Sequence, residues 1–96
     1  MLGQVTIKTE SPAVLRPLLR AALQNETKVL THGIKRTRDR LVAFEKQYEM
    51  SSEQFESRFE AGEIKETLDF IDWLMEIQAL RSLDEQYQAL RNARFA

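Results

Sequence analysis

The chain contains no cysteine, only three glycines and two prolines, and a single histidine among its 96 residues. Without cysteine it can form neither a disulfide framework nor a thiolate site. So few glycines and prolines argue against a β fold with many turns. No apolar run approaches the roughly 18 residues of a membrane-spanning helix. The N-terminus lacks the basic and then apolar form of a signal peptide, so we expect a cytoplasmic protein without membrane contact.

What the chain does contain is typical of a helical protein. Apolar residues make up 43% of the sequence and charged residues 30%, a balance that argues against intrinsic disorder. A length of 96 residues suits one domain with one modest core. We therefore expect a single helical domain over residues 1–96.

A long stripe of regularly spaced residues is the main structural signal. Its spacings alternate between four and three, as helix packing requires. Its members are Leu23, Thr27, Leu30, Ile34, Thr37, Leu41, Phe44 and Tyr48, here called the seam. Gly33 costs about 1 kcal/mol inside a helix relative to alanine. The seam keeps its phase across that glycine, which favours one continuous helix.

Helix-capping and helix-breaking residues along the chain predict an N-terminal arm and three helices. Residues 1–10 form the arm, in which alternating side chains at 5–8 suit a short strand or an extended segment. Ser11 and Pro12 resemble a helix start, but Pro17 should interrupt it, so the first long helix is expected over 17–49. Ser51 and Gln54 resemble a capping box for a short helix over 51–61. A second long helix is expected over 65–93.

The lengths of these helices indicate how they pack. The first would be roughly 50 Å long, more than the width of a compact domain of this size, so its partner must also be a long helix. The all-α fold expected is therefore an antiparallel pair of long helices with a short connecting helix. The apolar residues of the last helix cover more than one face near its start. We expect a homodimer to cover them by closing a helical bundle.

Charge is distributed unevenly between the two halves of the chain. Residues 1–48 carry nine Lys or Arg against four Asp or Glu, whereas residues 49–96 carry five against eleven. A basic cluster on the first long helix contains the candidate nucleic-acid contacts Lys35, Arg36, Arg38 and Arg40. These side chains could attract phosphates, pair with the acidic helix, or remain solvated. A DNA-binding regulator that uses the N-terminal strand and this cluster is the alternative function.

Candidate contacts for a partner protein lie at the start of the last helix. Aromatic residues and methionine dominate interface energetics, and acidic side chains alternate with them here. The residues selected are Phe70, Trp73, Leu74, Ile77, Asp69, Asp72 and Glu76. Core packing is the competing role for each apolar member of the set.

Signatures of catalysis and of cofactor binding are weak. His32 is the only histidine, so no zinc site of the usual kind can form. The carboxylates recur every three or four residues, which makes acidic helix faces rather than a calcium loop. We therefore expect no enzyme activity, no metal and no cofactor. A structural helical oligomer or adaptor is the remaining alternative to a partner-binding protein.

One resemblance covers nearly the whole chain, including the strand-like start and the turn at Ser11 and Pro12, and its most distinctive segments lie in the second half. The segments at 50–55, 59–64 and 68–73 read MSSEQF, FEAGEI and LDFIDW. With them the sequence resembles a group of small bacterial proteins, known from cyanobacteria, that look like the antitoxins of type II toxin–antitoxin gene pairs. The resemblance implies a helical protein that binds and neutralises a toxin, often an RNase, encoded beside it. Such antitoxins often bind their own promoter as well.

Overall fold

The computed structural model describes residues 3–93, which form three α-helices and no β-strand. The helices are α1 (Pro12–Tyr48), α2 (Ser52–Glu60) and α3 (Leu68–Arg91). The helical fold expected from the sequence is confirmed. The arm expected over residues 1–10 is described from residue 3, and residues 3–9 lie in no regular element. Of the two forms considered for this arm, the strand is wrong.

Helix α1 begins five residues earlier than predicted, at Pro12 instead of Pro17. Proline at position 17 cannot donate an N–H group to the carbonyl of Ala13, which costs one helical hydrogen bond. Its fixed φ angle is nevertheless helical, and only about one turn of helix precedes it. The expected interruption at Pro17 is therefore wrong. The helix also continues without a break through Gly33, as the phase of the seam predicted.

Two loops with specific caps join the helices. Helix α1 ends at Glu49, whose left-handed backbone has φ 52°. The predicted capping box of α2 is confirmed: the Gln54 N–H donates to Ser51 Oγ at 3.1 Å, and the Ser51 N–H donates to Gln54 Oε1 at 3.2 Å. After Gly62, which has φ +75°, Thr67 caps α3 by accepting the Phe70 N–H at 3.1 Å. Helix α2 is thereby folded back toward α3.

The two long helices are antiparallel, and the seam lies between them. Leu30, Ile34, Thr37 and Leu41 are buried, and the other four seam residues are half-buried. Three contacts set the register of the pair, namely Tyr48 with Asp69, Arg40 with Glu76, and Gly33 with Leu83. The Cβ of an alanine at position 33 would lie 3.5 Å from a Leu83 methyl group. Glycine therefore lets the long side chain of α3 approach the α1 backbone.

The main core lies at the end of the molecule where all three helices meet. Phe55 and Trp73 are fully buried and stack with ring centroids 4.0 Å apart. Leu41 from α1 and Ile77 from α3 complete the buried cluster. The Trp73 Nε1–H donates to Ser52 Oγ at 2.9 Å, so the indole is both stacked and hydrogen-bonded. Among residues 3–93, no helix is long and apolar enough to cross a membrane.

The burial pattern of α1 predicts unequal effects at adjacent positions. Leu41→Ala should lower the free energy of unfolding by about 2–5 kcal/mol, because it leaves a cavity in the main core. Val42→Ala should change it by less than about 1 kcal/mol, because Val42 is largely exposed. Urea denaturation followed by circular dichroism measures both. Equal effects would contradict the assignment of the seam to the core.

Candidate interaction surface

The apolar residues that were selected as partner contacts are mostly part of the chain's own core. Trp73 and Ile77 are buried, and Phe70 and Leu74 are half-buried against the same cluster. The Phe70 ring makes edge contact with Tyr48 of α1, with centroids 4.9 Å apart. The expectation that these side chains are offered to a partner is therefore corrected: they hold α3 against α1 and α2.

Two of the three acidic residues selected are bound within the chain. The Tyr48 hydroxyl donates a hydrogen bond to Asp69 Oδ2, and this bond, with burial and the carboxylate charge, raises the pKa of Tyr48. Glu76 pairs with Arg40, with Nη1 and Oε1 2.9 Å apart. Asp72 is exposed. Of the predicted contact set, Asp72 is thus the residue that the fold leaves on the surface.

The outer side of α3 carries three apolar residues outside the set of seven candidate contacts, although Met75 is of a type that the sequence marks as an interaction anchor. Leu68, Ile71 and Met75 are 83%, 38% and 60% exposed. Their spacing of three and then four residues places them on one face of the helix. Ile71 and Met75 lie roughly 200° around the helix from Trp73 and Leu68 lies roughly 140° from it, so this face points away from the core. The excess of apolar residues near the start of α3 indicates such a surface, but spacing alone does not separate these three residues from their buried neighbours.

The proposed nucleic-acid contacts are partly engaged with acidic residues of the same chain. Arg40 pairs with Glu76, and Arg38 Nη2 lies 3.9 Å from Asp84 Oδ1, so both reach toward α3. Lys35 lies 3.4 Å from Asp39 along α1. Arg36 is exposed. Pairing with the acidic helix, one of the three roles considered, thus accounts for two of the four, and DNA binding stays a prediction.

Two shallow grooves border the helix pair. The larger, of about 520 Å³, lies between α1, α2 and α3 and contains the carboxylates of Glu45, Glu53, Glu56 and Asp84. Most of these already have partners, since Glu45 accepts the Ser52 N–H at 2.7 Å and Asp84 pairs with Arg38. Within residues 3–93, no group of three His, Asp or Glu side chains is arranged to hold a metal ion. Three of these four carboxylates, those of Glu45, Glu56 and Asp84, therefore act as hydrogen-bond or ion-pair partners within the fold.

A bidentate ion pair joins α2 to α3. Arg81 donates both guanidinium nitrogens to the Glu56 carboxylate, with Nη1 and Oε2 2.7 Å apart. This bidentate hydrogen bonding holds the pKa of Glu56 below its ordinary value of 4.5, although partial burial opposes the shift. The same contact raises the pKa of Arg81. The pair thus helps to fix α2 over Trp73.

Comparisons of the chain with models of known protein families, with curated proteins and with solved structures found no match.

The Glu56–Arg81 pair predicts a pH-dependent contribution to stability. Because the folded-state pKa of Glu56 is lowered from its ordinary value of 4.5, the stabilisation is present above that value and is lost as the pH falls through the folded-state pKa. Arg81→Met should therefore lower the thermal midpoint at pH 7 but have much less effect near pH 2.5. Arg58→Met, at another exposed arginine near α2, is the control. An equal loss at both pH values would contradict the prediction.

Proposed function

We propose that the protein is a non-enzymatic interaction module that binds a basic partner protein through the outer face of α3. The observation that carries this proposal is the exposed apolar stripe of Leu68, Ile71 and Met75. Exposed aliphatic side chains that share one helix face are typical of helix-mediated recognition. These three side chains are not part of the core, because α1 and α2 pack on the opposite face of α3.

The charge around the stripe supports a basic partner. Asp72 is exposed between Ile71 and Met75, and Glu63 and Glu66 are exposed just before α3 begins. Acidic side chains at a helix start are also favoured by the helix dipole, so part of this charge has a local structural reason. An apolar centre with an acidic rim is complementary to a protein that carries a basic surface.

The specific form of the proposal is an antitoxin. The resemblance at 50–55, 59–64 and 68–73 implies a protein that neutralises a toxin encoded beside it, and the third of these segments begins the exposed stripe. A toxin that handles RNA needs a basic surface to attract phosphates, which an acidic protein can cover. The acidic rim and the resemblance together favour this function over a structural adaptor.

Co-expression with the product of the adjacent gene tests the proposal. We expect the two proteins to co-purify and the growth defect caused by the neighbour to be relieved. If neither occurs, the antitoxin function fails. The same experiment distinguishes a structural adaptor, which would leave the growth defect unchanged.

Substitutions on α3 test the surface itself. Met75→Arg should weaken binding of the adjacent gene's product about tenfold or more, because it places a cation in an apolar contact facing a basic partner. Ser82→Arg, on the same outer face two turns further along α3, is the matched control and should bind normally. Titration calorimetry measures both affinities. Equal binding by the Met75→Arg variant and the original chain would rule out this face.

A further inference from the structure

The first part of α1 extends past the end of α3. In the antiparallel register of the long helices, Arg91 at the end of α3 comes level with about residue 26 of α1. Residues 12–25, here called the overhang, therefore precede the part of α1 that α3 covers. They amount to roughly 20 Å of helix.

The overhang carries apolar residues on two sides of α1. Continuing the seam spacing toward the N-terminus from Leu23 leads to Arg20 and then Arg16, and the half-buried Leu15 and Leu19 lie next to this line. Val14 and Leu18 lie opposite the two arginines, since two residues turn a helix by roughly 200°. They are 61% and 60% exposed. The exposed apolar residues of the overhang therefore point away from the side of α1 that faces α3 elsewhere.

This second face has a heptad-like spacing of its own. Val14, Leu18, Ala21, Asn25 and Lys28 follow one another at intervals of four and three residues. The central position is an alanine, which allows another helix to approach closely and receive a large side chain. The stripe becomes polar from Asn25 onward, where α3 begins to cover the other side of α1. Val29, four residues after Asn25, is 56% exposed as well, so the apolar outer side of α1 is most continuous over residues 14–21 but does not end there.

We propose that the overhang is a self-association surface on which a second copy of the chain packs antiparallel. With Leu18 placed on Ala21 of the second copy, two-fold symmetry places Ala21 on Leu18 of that copy. Val14 then lies level with Asn25 of the second copy. Leu18 then packs on an alanine and Val14 on an asparagine of the second copy, so no two large side chains are placed against each other.

Charge favours this arrangement over a parallel one. The antiparallel register brings exposed Glu10 within about one residue of the level of Lys28 in the second copy, and symmetry repeats the pair. A parallel pair would instead place Glu10 beside Glu10 and Lys28 beside Lys28, which is repulsive. The stripe and the charges at its ends are thus self-complementary in the antiparallel orientation, which a two-fold contact between copies requires.

Single substitutions at the two ends of the molecule test this surface. The original chain should have a mass of twice 11.2 kDa in solution, and Leu18→Glu should reduce it to 11.2 kDa. Met75→Glu, an equally exposed apolar residue on α3, is the matched control and should remain a dimer. Light scattering after size exclusion at about 100 µM measures the masses, and circular dichroism confirms that each variant is helical. A monomeric original chain, or dissociation by Met75→Glu, would overturn the proposal.

A charge exchange tests the orientation and does not depend on the Leu18 variant. Glu10→Lys should weaken dimerisation a few-fold, because it places like charges together twice. Adding Lys28→Glu to that variant should restore the original dissociation constant, as measured by sedimentation equilibrium. Failure of the second substitution to restore affinity would overturn the antiparallel register. Because neither residue lies on α3, these results are independent of whether the adjacent gene's product binds.

Discussion

Burial of the Trp73 indole is the interaction on which the arrangement of the three helices depends. The ring of this α3 residue stacks on Phe55 of α2 and on Phe44 of α1, with centroids 4.0 and 5.6 Å away. Its N–H group would be costly to bury alone, and Ser52 at the start of α2 accepts it. The serine is held in turn, because its backbone N–H donates to Glu45 of α1. Removing a buried tryptophan costs about 3–5 kcal/mol, a large part of the roughly 5–15 kcal/mol that stabilises a domain.

The position of α2 decides which face of α3 remains available. Helix α2 has nine residues, enough to cover the side of α3 that carries Trp73 but not its outer side. The capping box and Gly62 set the direction of the two loops, and the Glu56–Arg81 pair fixes α2 at its exposed edge. The exposed stripe on α3 is therefore the face left after α1 and α2 have taken the other two.

The sequence was informative where a pattern is local and less so where it depends on how the chain folds back. The seam and the capping box are local, because each depends on the spacing of residues along one helix or at one helix start. The start of α1 was predicted wrongly at Pro17, because a proline near a helix start removes one hydrogen bond without changing the helical φ. The residue type of Trp73 suits both an interface and a core, and only the return of α2 distinguishes the two roles. Leu68 and Met75 could not be identified as exposed without knowing which face α2 covers.

The two uncovered apolar faces of the molecule have different causes. Helix α1 has 37 residues and α3 has 24, so α3 cannot cover the whole length of α1. The uncovered length lies at one end of α1, whereas the exposed stripe of α3, which the position of α2 leaves open, lies toward the other end.

These two faces are far enough apart to be occupied together. In the helix register Met75 is level with about residue 41 of α1, which places it roughly 35 Å along the axis from Leu18. Their chemistry differs as well, since the overhang has a basic opposite side and the α3 stripe has an acidic rim. In the proposed dimer the two overhangs bury each other, and the apolar stripe on each α3 remains exposed. One dimer could then hold two partner molecules, and a partner that is itself a dimer would bind with the added affinity that two linked contacts provide.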